Sequence, residues 1–246
     1  MRTRLVHDHV TVLFVIAFCA HANPGDRLTQ LLALGPATQQ IQTANGWDPD
    51  DRSDLIRLED HDRVASRVDS GTRPRDSTDG VRGKLLCIGG LHVWEVKITW
   101  SNRNLRMLPM IGVGTEDVPL HRGWHSVILG NDENSWSWNV DGLEFGHDGE
   151  WEQYPTGHER RQHARALMDP DQTGLTKTFK MVLDMELGTL GFMVGDHYLG
   201  DAPGTHNLRN REVTPITMMI SSSAHQAVEL RYIGGEQGEI VPYEQR

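Results

Sequence analysis

The sequence predicts an all-β fold, a sandwich or barrel of antiparallel strands, on three observations. Apolar residues alternate with polar ones over many short stretches, turn signals separate those stretches at close intervals, and helical periodicity is scarce. Two short cuts away from that class are closed. The 2 cysteines, Cys19 and Cys87, exclude a disulfide framework and a cysteine-rich zinc module. A length of 246 residues with 37% apolar and 24% charged residues suits one folded domain with its own core, neither a disordered tail nor a membrane bundle.

In chain order, residues 1–22 stand apart. Arg2 and Arg4 precede an apolar stretch from Val10 to Ala20, and Ala20-His21-Ala22 is a small-x-small pattern. The run is too short to span a bilayer and matches the three parts of a secretory signal peptide, with a plain hydrophobic extension as the other reading. Pro24, Gly25 and Asp26 then open a short helix in which Leu28, Leu31 and Leu32 share a face, closed by Gly35-Pro36. From Ile41 to Arg67 the chain is polar, anchored by Trp47, Leu55 and Leu58. Residues 66–80 are dense in turn formers and read as a loop.

Beyond Val81 the period becomes 2. Trp94, Val96, Ile98 and Trp100 form one apolar face, as do Trp136, Trp138 and Val140, and Phe179, Met181, Leu183 and Met185. A turn at Glu186-Leu187-Gly188-Thr189 leads into Leu190, Phe192 and Val194. Gly195-Asp196 marks a tight hairpin before Tyr198 and Leu199, and Val228, Leu230 and Tyr232 close the series. Cys87, in an apolar run, reads as a buried small hydrophobe. Residues 150–176 break the pattern: the polar run Glu159 to Arg165, ending at Asp169-Pro170, reads as a solvated loop with at most a helical turn. No internal repeat or interdomain linker is present.

Chemistry is harder to find. The formal charge of −10 argues against a sequence-independent grip on a phosphate backbone. Among 13 histidines, His121 and His125 have i, i+4 spacing, but Gly123 and the strand pattern argue against a helix there, and no H-E-x-x-H signature exists. No metal or other cofactor is expected. Glu150 with Glu152, and Glu59, Asp60 and Asp62, are the nearest carboxylate groupings for glycoside hydrolysis, yet such clusters usually sit in hydrated turns. No nucleophile elbow or phosphate-cradling glycine loop is present, and Ser221-Ser222-Ser223 before His225 lacks an acidic third member. The 7 tryptophans fall mostly in strands, where packing is their default role.

Several segments taken together are specific. Asp79-Gly80-Val81-Arg82-Gly83-Lys84 is followed by Gly90-Leu91-His92-Val93-Trp94-Glu95. Then come Ile111-Gly112-Val113, Pro119-Leu120-His121, Gly130-Asn131, Ser135-Trp136-Ser137-Trp138 and His147-Asp148-Gly149. Leu183-Asp184-Met185, Gly188-Thr189-Leu190, Tyr198-Leu199-Gly200 and Arg231-Tyr232 complete the order, with Arg27-Leu28, Leu31-Leu32, Trp47 and Asp51-Arg52-Ser53 upstream. From about Arg27 to Gly235 the chain resembles the SPRY domain-containing SOCS box protein family.

The resemblance implies a SPRY-type bent β-sandwich of two antiparallel sheets with short N-terminal helices. It divides the chain into residues 23–65, a helical and extended region packing on the sandwich, residues 66–235, the SPRY domain, and a tail at 236–246. It implies a non-enzymatic module whose loops hold a short peptide of a target protein. It also implies a C-terminal SOCS box that recruits elongin and cullin partners of a ubiquitin ligase; residues 236–246 carry no such sequence. Cytoplasmic placement is implied by the resemblance, and secretion if residues 1–22 act as a signal; the mature form is expected to bind neither membrane nor nucleic acid.

The expected peptide-binding residues are Arg73, Pro74, Arg75, Trp124, His125, Ser222, Ser223 and Ala224, in the loops 72–76, 122–127 and 221–225. They depart from the family pattern. Arg73-Pro74-Arg75-Asp76 precedes Ser77-Thr78-Asp79 where the family has an arginine, proline and alanine run. His125 takes the place of a tyrosine, and Ser222-Ser223-Ala224 that of Val-Trp-Gly. Large apolar walls are thereby lost. Arg73 and Arg75 suit carboxylate or amide oxygens of a ligand, with solvated loop charge as the alternative, and Trp124 offers an apolar wall. Two other functions fit the sequence less closely: a secreted SPRY effector without ligase recruitment, and a carbohydrate-active enzyme on a lectin-like sandwich.

Overall fold

The computed structural model describes residues 24–35, 37–68, 77–100, 110–123, 129–168, 175–220 and 226–235. In chain order the elements are α1 (Pro24–Ala33), α2 (Gln39–Ala44), β1 (Trp47–Arg52), β2 (Ile56–Glu59), β3 (Val64–Arg67), β4 (Ser77–Gly83) and β5 (Leu91–Trp100). They continue with β6 (Met110–Gly114), β7 (His121–Gly123), β8 (Ser135–Asn139), β9 (Glu144–His147), β10 (Glu150–Gln153) and α3 (His158–Met168). The last are β11 (Thr176–Asp184), β12 (Thr189–Val194), β13 (His197–Asp201), β14 (Thr214–Ile220) and β15 (Gln226–Gly235). Two antiparallel sheets result, one ordered β1-β4-β14-β6-β8-β9-β10 with β7 added to β4, the other β13-β12-β11-β5-β15-β3-β2.

The alternation read from the sequence faces the space between the sheets. Trp94, Val96 and Ile98 of β5, Trp136 and Trp138 of β8, and Phe179, Met181 and Leu183 of β11 all join one buried cluster. Phe192 of β12 and Val228, Leu230 and Tyr232 of β15 complete it. Trp138 packs against Phe192 at 4.6 Å, Phe179 at 5.1 Å and Tyr154 at 5.8 Å between ring centroids, so one side chain ties the two sheets together.

Both outer faces are partly covered as well, which explains why several strands are apolar on alternate residues of both parities. On the second sheet α1 lays Leu28, Leu31 and Leu32 over Leu91, Val93, Val182 and Met193, as its leucine spacing predicts. Arg27 fixes that helix by salt bridges to Asp184 at 3.2 Å and Glu186 at 3.0 Å. On the first sheet Met110, Ile216 and Met218 are covered by Val118 and Leu129.

Three stretches differ from their sequence reading. The expected loop 66–80 is strand at both ends, because β3 runs to Arg67 and β4 begins at Ser77. Its turn formers Ser77, Thr78, Asp79 and Gly80 are buried in the ladder, and Gly80 is needed there: a Cβ would lie 2.8 Å from the Thr217 carbonyl oxygen. The polar stretch from Ile41 to Arg67 holds β1, β2 and β3, with Trp47 fully buried and its indole N–H donating to the Val228 carbonyl at 3.1 Å. Residues 158–168 form a three-turn helix, whose buried strip is only Ala164 and Met168, too narrow to register as amphipathic. The segments 1–22 and 236–246 lie outside the described residues.

Cys87 has no exposed surface, and burial pushes its thiol up. In a Cys19→Ser chain, Cys87 is therefore expected to resist alkylation until denaturant unfolds the protein. Labelling at a free-thiol rate under native conditions would contradict that placement.

Candidate functional site

The strand registers bring several chain segments to one end of the sandwich. Ser77, first residue of β4, pairs with Gly123, last of β7, and Thr78 pairs with Ile220, last of β14. Met110, where β6 begins, pairs with Met218. In the facing sheet Gln226, first of β15, pairs with Trp100, last of β5, and β3 ends beside it, with Ser66 opposite Ala227. The strand ends that border residues 69–76, 101–109, 124–128 and 221–225 in sequence therefore lie at one rim. The eight expected binding residues, Arg73, Pro74, Arg75, Trp124, His125, Ser222, Ser223 and Ala224, lie outside the described residues, while the strand ends on either side of them are drawn together.

Directly beneath this rim the two sheets are joined by a polar cluster that the sequence reading did not single out. Asp79 of β4 has a fully buried side chain. Its Oδ2 accepts from Arg67 Nε at 3.0 Å, across the sandwich, and from Ser77 Oγ at 2.6 Å. Its Oδ1 accepts from Ser53 Oγ at 2.6 Å and from His121 Nδ1 at 2.8 Å. Arg67 Nη2 also donates to Ser77 Oγ at 2.8 Å, so that hydroxyl relays between the guanidinium and the carboxylate. Burial alone would push the Asp79 carboxyl up. Donation from Ser53, Ser77, His121 and Arg67 outweighs burial and holds it below the usual carboxylate range. Asp79 and His121 stand inside the quoted motifs, and Arg67 at a strand end, but only the pairing of β4 with β7 and the reach of Arg67 from β3 in the facing sheet show that they meet.

The opposite end is built differently. Asp48, Asp51, Arg82, Lys84, Glu116 and Glu212 line a shallow depression. Arg82 is consumed there by structure, donating to Asp51 at 2.9 Å and to the carbonyls of Thr115 at 3.2 Å, Glu116 at 2.8 Å and Val118. The carboxylates weighed for hydrolysis are turn or edge residues. Asp60 and Asp62 pair with Arg63 and Lys84, and Glu150 and Glu152 are exposed on β10, an edge strand. Among the described residues no three metal-ligating side chains converge, and no helix is long and apolar enough to cross a membrane.

No protein-family model matches the chain. The fold is that of SPRY domains: the SPRY domain of human HERC1 superposes with a TM-score of 0.53 at 18% identity, covering 76% of this chain and 98% of that one. The PSpry domain of TRIM65 gives a TM-score of 0.55 at 19% identity, covering 87% and 98%. Sequence relatives are nearer. SPRY domain-containing SOCS box protein 1 of Homo sapiens is 30% identical over 217 residues, which is 88% of this chain and 74% of the relative. Protein gustavus of Drosophila melanogaster is 32% identical over 216 residues, 88% and 72% of the two chains. SPRY domain-containing SOCS box protein 2 of Rattus norvegicus is 32% identical over 227 residues, 91% and 78%. Identity at that level, carried across more than two thirds of both partners in each comparison and matched by the sandwich itself, shows that the chain belongs to the SPRY domain-containing SOCS box protein family.

Proposed function

We propose that this chain is a protein-binding SPRY module that holds a peptide segment of a target protein at the rim where β3, β4, β5, β6, β7, β14 and β15 begin or end. The observation that supports this reading is the convergence of these strand ends at one end of the sandwich, above a buried polar cluster that fixes both sheets there. A rigid scaffold carrying clustered variable segments is the usual arrangement for recognition. Arg73 and Arg75 supply forked donors for carboxylate or amide oxygens, and Trp124 an apolar surface. His125 and Ser223 in place of a tyrosine and a tryptophan, with Ser222 and Ala224 in place of valine and glycine, favour a target different from those the relatives take. Where a SOCS box accompanies the module, it serves as the substrate-recognition part of a ubiquitin-ligase adaptor through elongin and cullin partners.

An array of overlapping peptides probed with the 246-residue chain tests this directly. The Arg73→Ala/Arg75→Ala double variant is expected to lose affinity for the captured peptides by about tenfold or more, the range for hydrogen bonds to charged groups. Unchanged binding by the variant would remove the two arginines from the site.

A further inference from the structure

The cluster beneath the rim has one member that reaches solvent. The side chain of His121 is 55% exposed, whereas that of Asp79 is fully buried. Its Nδ1 is committed to Asp79 Oδ1 at 2.8 Å, and its Nε2 has no partner among the described residues. The chemistry of the pair fixes the tautomer. A carboxylate that already accepts from Ser53, Ser77 and Arg67 and is held ionised has no proton to give, so the imidazole Nδ1 carries the hydrogen in this bond. In the neutral ring Nε2 is then a bare lone pair. His121 opens β7, and that strand runs through Gly123 directly into residues 124–128.

We infer that His121 is itself a ligand-reading residue, in which Asp79 holds the ring as the Nδ1–H tautomer so that Nε2 accepts a hydrogen bond from an N–H or O–H donor of the bound polypeptide. This rests on the peptide-binding reading above and adds a specificity to it: the target offers a side-chain amide, a hydroxyl or a backbone N–H at this point, and an acceptor there is rejected. Asp79 acts through His121 as a positioning residue. The charged groups that the described residues set against the imidazole are Asp79 of β4 and, behind it on β3, Arg67. Arg122, next along β7, pairs in register with Thr78 rather than with Asp79.

The probe is the tightest peptide from the array, titrated into the full chain. Two measurements are made, the peptide Kd and the ¹⁵N signals of the His121 ring with and without peptide. Expected are a bare Nε2 in the free chain and a shift of that signal on binding. His121→Gln retains both a donor for Asp79 and an acceptor for the ligand, so it is expected to bind within a few-fold of wild type. His121→Phe, with neither, is expected to bind about tenfold more weakly at neutral pH. Two results overturn the inference alone: an Nε2–H tautomer in the free chain, or a peptide that shifts the amides of Thr78 and Gly123 yet binds His121→Phe as tightly as wild type. A peptide that binds without shifting those amides overturns the reading on which the inference rests.

Discussion

Replacing Asp79 with alanine is expected to lower the unfolding free energy by about 3–5 kcal/mol, the usual loss when one partner of a buried ion pair is removed. The side chain has no exposed surface, and its loss strands Arg67, whose side chain is 10% exposed, together with the hydroxyls of Ser53 and Ser77. Asp79→Asn keeps the shape and part of the acceptance, and a loss of about 1–3 kcal/mol is expected. The carboxyl is held below its ordinary range in the folded chain, so its contribution is complete above the unfolded carboxylate pKa of about 3.9 and fades as pH falls through the folded value. Denaturant titrations across the acid range should show a steeper loss of stability for the wild type than for Asp79→Asn. Equal acid limbs would mean that the cluster holds no ionised carboxylate.

Trp138→Ala is the second large effect, about 3–5 kcal/mol by the same kind of titration. The indole belongs to β8 in one sheet and packs on Phe179 and Phe192 of β11 and β12 in the other, at 5.1 and 4.6 Å, and on Tyr154. Truncation opens a cavity between layers that the sheet backbones hold apart, so little collapse can offset it. Trp138→Phe should cost much less, since it keeps a ring and deletes a buried indole N–H that has no hydrogen-bond partner. Loss of less than about 1 kcal/mol for Trp138→Ala would show that the two sheets are not joined through this side chain.

The strands that carry the core were legible because their side chains face one apolar space. Trp94, Val96 and Ile98 alternate with polar residues, as do Phe179, Met181 and Leu183 except at Val182, which the outer face buries, and a period of 2 over several residues has no other easy reading. Helix α1 was legible for the matching reason, with three leucines on one face and Gly35 after it. The reading failed where polar side chains are buried by mutual satisfaction rather than exposed. Ser77, Thr78 and Asp79 have the composition of a turn and the burial of a core strand, because Asp79 and Ser77 find partners on Ser53 and Arg67, distant in sequence and supplied only by the fold. Helix α3 failed for another reason: Ala164 and Met168 are its buried residues, and the arginines around them mask the strip. Of the site, the order of motifs marked the frame, whereas the role of His121 was hidden. A histidine in a polar stretch has no visible tautomer until its carboxylate is found.

If one end of the sandwich grips a polypeptide, backbone hydrogen exchange on the full chain, with and without a saturating array-selected peptide, will register it. Slowed exchange is expected only at Ser77–Asp79, His121–Gly123 and the start of β15 at Gln226, with no change around Gly83, Gly114 and Thr214 at the far end. Protection at that far end, with the rim unchanged, would contradict it.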